Sequence, residues 1–331
     1  MRVLLKIFLP IAILLAALAG AALWWIQAPL ETRDATVDFR VAPGSSLRAA
    51  VAQMNEAGLM LNADLFALLA RWQGLATSIK AGSYSVSRGV TPESLLAKLA
   101  RGDVTQGESI LVEGWTFRQW RARLDGNPDL RHETRGMSDA EIAGRLGIEA
   151  GLVEGWLFPD TYLFDKQSSD LELMARAHRA MRRKLEEAWA ARAANLPYRN
   201  PHEALVMASI VEKETGMADD RALVAAVFVN RLRRGMLLQT DPSVIYGLGE
   251  SFDGNLRKRD LQADTPYNTY TRRGLPPTPI AMPGLASLLA ALHPAESDVL
   301  YFVARGDGSS QFSRTLDEHN RAVNKYQRGS K

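Results

Sequence analysis

The sequence predicts an α+β protein of two folded parts behind an apolar N-terminal helix, and three observations predict it. Residues 7–26 form one uncharged run. Residues 35–110 read as strand, helix, helix, strand, helix. From residue 156 onward, long stretches of helical periodicity dominate and two short strands come near the end. A chain of 331 residues is long enough for about two such units.

The elements follow in order. Residues 1–6 are a short stub carrying Arg2 and Lys6. About 20 apolar residues then suffice to cross a hydrocarbon core roughly 30 Å thick. Trp24 and Trp25 close the run where an aromatic belt lies, so the positive-inside rule leaves the N-terminus cytoplasmic and the remainder outside. The alternative is a cleaved signal peptide, with Ala17, Ala19 and Gly20 as the small residues a peptidase needs. Residues 27–34 are a polar tether. Ala35 to Val41 alternates as a strand, Leu47 to Gly58 and Asn62 to Trp72 read as helices, Ala81 to Val86 as a strand, and Thr91-Pro92-Glu93 opens a capped helix. A connecting segment, 111–155, carries a strand at Ile110 to Val112, a helix through Trp120, and helical patterning from Ser138 to Gly155. The second domain, 156–331, begins at an aromatic cluster, Trp156 to Tyr162. Helices are expected at Leu171 to Ala194, from Pro201, and at Arg221 to Arg234, Gly284 to His293 and Leu316 to Tyr326, with strands at Val299 to Ala304 and Gln311 to Ser313.

Composition excludes several classes. Apolar residues at 47% and charged residues at 23% argue against both disorder and a multi-span protein. The net charge of +3 is interleaved along the chain, as in Arg182 to Glu187, which is a poor footprint for nucleic acid. The absence of cysteine rules out disulfides, thiolate metal sites and a cysteine nucleophile. His132, His178, His202, His293 and His319 are scattered without metal-ligand spacing, and no phosphate loop, dinucleotide motif or serine elbow occurs. Neither metal nor cofactor is expected.

The helix from Pro201 ends in Glu212-Lys213-Glu214 before Gly216. Glu214 continues the line of Met207, Ile210 and Val211, whereas Glu212 follows Leu205, Ala208 and Ser209. A carboxylate that prolongs an apolar stripe in the last helical turn favours its protonated form, for reasons of desolvation and helix dipole. The same triplet also reads as a solvated turn, and spacing leaves both open. Two residues apart, the glutamates lie about 200° around a helix, so they cannot flank one glycosidic bond as a pair.

Ala208 to Thr215 resembles the signature of the endolytic murein transglycosylases, the YceG-like or MltG family. Val227 to Leu232, Leu238 to Gly247, Tyr267 to Tyr270, Gly274 to Pro277 and Tyr301 to Ala304 match in the same order, as do the N-terminal run, Ala81 to Tyr84, Val112-Glu113-Gly114, Glu154-Gly155-Trp156 and Ser313 to Asn320. Residues 125–148 are the least similar part. The resemblance implies a LysM-like module at 35–110, a catalytic domain at 156–331, and Glu214 as the catalytic residue. It further implies cleavage between N-acetylmuramic acid and N-acetylglucosamine inside nascent peptidoglycan strands, leaving 1,6-anhydro ends, at the outer face of the bacterial plasma membrane beside penicillin-binding synthases. Gln239, Asp241, Tyr267, Asn268 and Tyr270 are candidates for lining the sugar groove, with Asn230 a further one; Asp241 alternatively starts a turn, and the tyrosines alternatively anchor loops. Two other readings stay open: a non-catalytic glycan-binding scaffold, and a hydrolytic muramidase, which requires a second acid near Glu214.

Overall fold

The computed structural model describes residues 2–328 except 150 and 215, with side chains at 2–8, 11, 12 and 328 left undescribed. It is α+β and rich in helix. Two compact units emerge, Met1–Glu108 with Leu163–Ser168, and Ser109–Tyr162 with Ser169–Lys331.

In the first unit, α1 (Arg2–Gln27) precedes β1 (Glu31–Thr32), β2 (Thr36–Val41), α2 (Leu47–Glu56), β3 (Leu59–Met60), α3 (Ala63–Trp72), β4 (Gly82–Ser87) and α4 (Pro92–Arg101). The predicted span at 7–26 lies within α1, partly on side chains outside the described residues. Among the described residues, no helix is long and apolar enough to cross a membrane. β2 and β4 pair antiparallel, with Phe39 opposite Tyr84, and β1 pairs antiparallel with β3. Alternation along β2 buries Val37, Phe39 and Val41 against Met54, Phe66, Leu95, Leu96 and Leu99. Each such side chain contributes roughly 1.5–3 kcal/mol by burial. The Phe39 and Tyr84 rings stack at 5.6 Å, and the Tyr84 hydroxyl donates to the Lys80 carbonyl. Thr91 and Ser94 cap α4 reciprocally, Pro92 takes its first position, and Gly102 ends it at φ +71°, where a side chain would be strained.

The chain passes between the units along β5 (Gln106–Leu111) and β6 (Asp160–Asp165). β5 starts four residues before the predicted strand at Ile110, and β6 occupies part of the predicted aromatic entry. The second unit adds α5 (Phe117–Asp125), α6 (Asp139–Leu146), α7 (Asp170–Ala190), α8 (Pro201–Glu214), α9 (Ala218–Arg233), α10 (Asp241–Leu248), α11 (Lys258–Gln262), α12 (Leu285–Leu292), β7 (Tyr301–Ala304), β8 (Ser310–Ser313) and α13 (Leu316–Val323). The helical stretch expected to Gly155 ends at Leu146, because Gly147 turns left-handed at φ +71°. α10 and α11 were not expected: their segments are short and carry turn-forming Pro242, Gly247 and Asp260.

α8 is the centre of this unit. Ala204 through Val211 are all buried, among Met181 and Leu185 of α7, Phe228 of α9 and Leu288 and Leu292 of α12. A helix enclosed on every side has no single buried stripe, so the stripe argument for Glu214 over Glu212 does not discriminate here. The predicted helix start is present, with Asn200 Oδ1 accepting from the Glu203 amide and Glu203 accepting from the Arg199 amide.

Candidate active site

The last turn of α8 carries two carboxylates with different surroundings. Glu212 Oε2 accepts from the Gly284 amide at 2.9 Å, and its charge helps to raise the carboxyl of Glu113 above the ordinary range, after burial as the main cause. Glu212 thereby ties the end of α8 to the start of α12. Glu214 is half-buried and takes one hydroxyl, Thr240 Oγ1, at 2.5 Å. Burial pushes its carboxyl above the ordinary carboxylate range; Asp241 pushes the same way, while the Thr240 hydroxyl and Arg231 oppose both. A carboxyl so placed holds a proton more readily than a solvated one, which is what a general acid requires.

Thr240 is rigidly held. Its amide donates to Thr269 Oγ1 at 3.0 Å, its carbonyl accepts from Ser243 Oγ at 2.9 Å, and Ser243 Oγ lies 2.9 Å from Thr269 Oγ1. The preceding Gln239 has φ +51°, a left-handed conformation uncommon for residues other than glycine, and its amide donates to the Thr269 carbonyl. Strained backbone thus precedes the residue whose hydroxyl bonds Glu214. Arg231 is also buried and spoken for: Nε donates to the Leu300 carbonyl at 2.8 Å, Nη1 to the Leu238 carbonyl at 2.6 Å, and the guanidinium lies 5.2 Å from the Tyr301 ring centre.

The residues expected to line a groove separate into two groups. Gln239 and Asp241 flank Thr240, and Tyr270 donates its hydroxyl to Asp241 Oδ1 at 2.5 Å, so these three gather beside Glu214. Tyr267 stacks edge-on against Tyr246 at 4.9 Å and meets the Thr278 hydroxyl. Asn268 faces inward, fully buried, with its amide nitrogen donating to the carbonyls of Asp260, Leu261 and Ala263. Asn230 likewise donates to the carbonyls of Ser297 and Val299. Both amides shape loops and have no free donor for a sugar.

Tyr267 and Tyr246 also wall a cavity of about 740 Å³ with Phe117, Gln119, Lys213 and Pro242. Lys213 and Pro242 adjoin Glu214 and Asp241 in sequence, but neither acid lines it. On its wall sits Glu154, 6% exposed, whose two oxygens accept the Phe117 amide at 3.1 Å and which also bonds the Tyr246 hydroxyl. Burial lifts this carboxyl to about 7 against those bonds. Nothing local in Glu154-Gly155-Trp156 marks a buried acid, since the burial comes from α5 and α10. Thr240 and Arg231 escaped the sequence reading for the same reason. Histidines scattered in sequence are also not all isolated in space: His132, Asp125 and Asp170 offer ligand atoms within 4.8 Å of one another, where Asp170 is already occupied by the Thr134 hydroxyl and by backbone amides.

Three comparisons bear on the chain. The YceG-like family model matches residues 39–325. A Bacillus subtilis protein named endolytic murein transglycosylase is 33% identical over 309 residues, covering 88% of this chain and 85% of that protein. A Streptococcus pneumoniae protein of the same name is 28% identical over 322 residues, of which this chain spans 58% of the length. The crystal structure of a yceG-like protein from Listeria monocytogenes superposes with a TM-score of 0.52 at 29% identity, covering 87% of this chain and 98% of the other.

Proposed function

Because this chain belongs to the YceG-like family, we propose that it is an endolytic murein transglycosylase, cutting peptidoglycan strands between N-acetylmuramic acid and N-acetylglucosamine and leaving a 1,6-anhydro end. The observation that carries the reading is Glu214: a carboxyl at the end of the central helix, raised by burial and held by a fixed hydroxyl. Protonated Glu214 gives its proton to the glycosidic oxygen as the bond to C1 breaks. The resulting carboxylate takes the proton of the C6 hydroxyl as that oxygen bonds C1. The nucleophile belongs to the same sugar, so its effective concentration is high and one carboxyl serves both proton transfers. Gln239, Asp241, Tyr267 and Tyr270 bind the strand, whereas Asn268 holds the loop that carries Tyr267 and Tyr270, and Asn230 ties α9 to the segment before β7.

Residues 35–110 form the LysM-like glycan-contacting module, a reading supported by the β2–α2–β3–α3–β4–α4 order and the antiparallel β2–β4 pair. α1 anchors the chain in the plasma membrane; exposed Leu9, Ile13, Leu14, Leu15, Leu18 and Leu23 support this. A penicillin-binding synthase making the strands is the partner this placement suggests. One observation favours hydrolysis as a second reading: Asp241 is close enough to Glu214 to raise it, and a hydrolase needs a second acid to activate water. Mass spectrometry of the fragments from uncrosslinked peptidoglycan decides. Anhydro ends with the wild type and none with Glu214→Gln are expected; hydrated ends would establish hydrolysis, and equal cleavage by both proteins would remove Glu214 from the mechanism.

A further inference from the structure

The first unit exposes more large apolar side chains than its own folding explains. On α3, Phe66, Leu69 and Ala70 turn into the core, yet Leu65, Leu68 and Trp72 form a second stripe at helical spacing on the outside, Leu68 64% and Trp72 71% exposed. Met60 on β3, opposite Glu31, is exposed as well. This stripe and the last third of α1 wall a groove of about 740 Å³ lined only by Leu, Ile, Ala and Trp, with Trp24 and Trp72 both exposed beside it. α1 is fastened there: Trp25 and Ile26 pack on the unit's core, and the Leu30 amide donates to the Val90 carbonyl. The one acid of α3, Asp64, is paired with Arg48 at 2.6 Å, and Arg71 adds a positive charge at the far end of the helix.

We infer that the outer face of α3, with Leu65, Leu68 and Trp72, rests in the interfacial layer of the bilayer that holds α1, so that the module lies on the membrane rather than swinging from a tether. The inference rests on the reading of α1 as the anchor. Its occupant is lipid, because the groove is continuous with the exposed apolar surface of α1 and opens where Trp24 marks the interface. A helix apolar on both faces, neutralised at its acidic end, suits acyl chains on one side and protein on the other.

The absence of cysteine allows a direct test. Single nitroxide labels at Leu68→Cys, Trp72→Cys, Ala17→Cys and Glu187→Cys are placed on the full chain in phosphatidylcholine–phosphatidylglycerol vesicles, and collision with oxygen is compared with collision with a water-soluble nickel chelate. Positions 68 and 72 are expected to shift toward the oxygen-rich, nickel-poor values of position 17 and away from those of position 187. Values at 68 and 72 equal to those at 187, with 17 in lipid, overturn the inference while leaving the anchor intact. If 17 also resembles 187, the anchor reading fails and the inference falls with it. Shielding of 68 and 72 from both reagents with spin–spin broadening would assign the face to a second copy of the chain, which also overturns it.

Discussion

Glu154→Gln isolates the buried carboxyl on the wall of the cavity. Folding raises that group from an ordinary 4.5 to about 7 through burial, against bonds from the Phe117 amide and the Tyr246 hydroxyl. A carboxyl raised on folding binds its proton more tightly in the folded than in the unfolded chain. Its contribution to stability is therefore complete below about pH 4.5 and is lost as pH rises toward and through about 7. At about 1.4 kcal/mol per unit, the loss amounts to roughly 3 kcal/mol. Glutamine resembles the protonated form: its oxygen can still accept from the Phe117 amide, and it has no proton to lose. Urea unfolding followed by tryptophan fluorescence at pH 5, 6, 7 and 8 reads the effect as the difference between wild type and variant, which cancels the titration of Glu113 and Glu214. The difference curve is expected to move by about 2.5 kcal/mol in the variant's favour from pH 5 to pH 8. Parallel curves across that range would refute the claim that Glu154 is a raised, proton-holding group.

Three further outcomes are expected. In the proposed mechanism activity requires protonated Glu214, so kcat/KM falls as pH rises through its raised value; Thr240→Val removes a bond that lowers that value and moves the falling limb to higher pH, as a pH profile will show. Asn268→Ala removes the buried amide that donates to three loop carbonyls and costs about 1–3 kcal/mol in denaturant unfolding, whereas Tyr270→Phe raises KM with little effect on stability. Gly155→Ala places a methyl group against the rigid ring of Pro279 at φ +81°, so a loss of about 3 kcal/mol is expected in thermal melts read as a shift in Tm.

Local chemistry made much of this fold legible. Ser46, Thr91 and Asn200 are side chains whose oxygens satisfy open helix amides, and each starts the helix its sequence announces. The alternation of β2 is likewise a property of six consecutive residues. Such signals need no distant partner. Short elements escaped for the converse reason: α10 lies in a segment rich in turn formers, and it is helical because Val244 is buried and Ser243 bonds the Thr240 carbonyl and the Thr269 hydroxyl.

The active site divides in the same way. The sequence by itself determined the family, the position of Glu214 in the last turn of a helix, and the aromatic and polar residues that follow it, because these are matters of residue type and order. Only the tertiary structure decided that Glu214 meets Thr240, 26 residues on, that Asp241 and Tyr270 gather there while Asn230 and Asn268 turn inward, and that Glu154 is buried. Desolvation and hydrogen-bond partnership depend on which distant segments close around a group, and that is settled when α8 is enclosed by α7, α9 and α12.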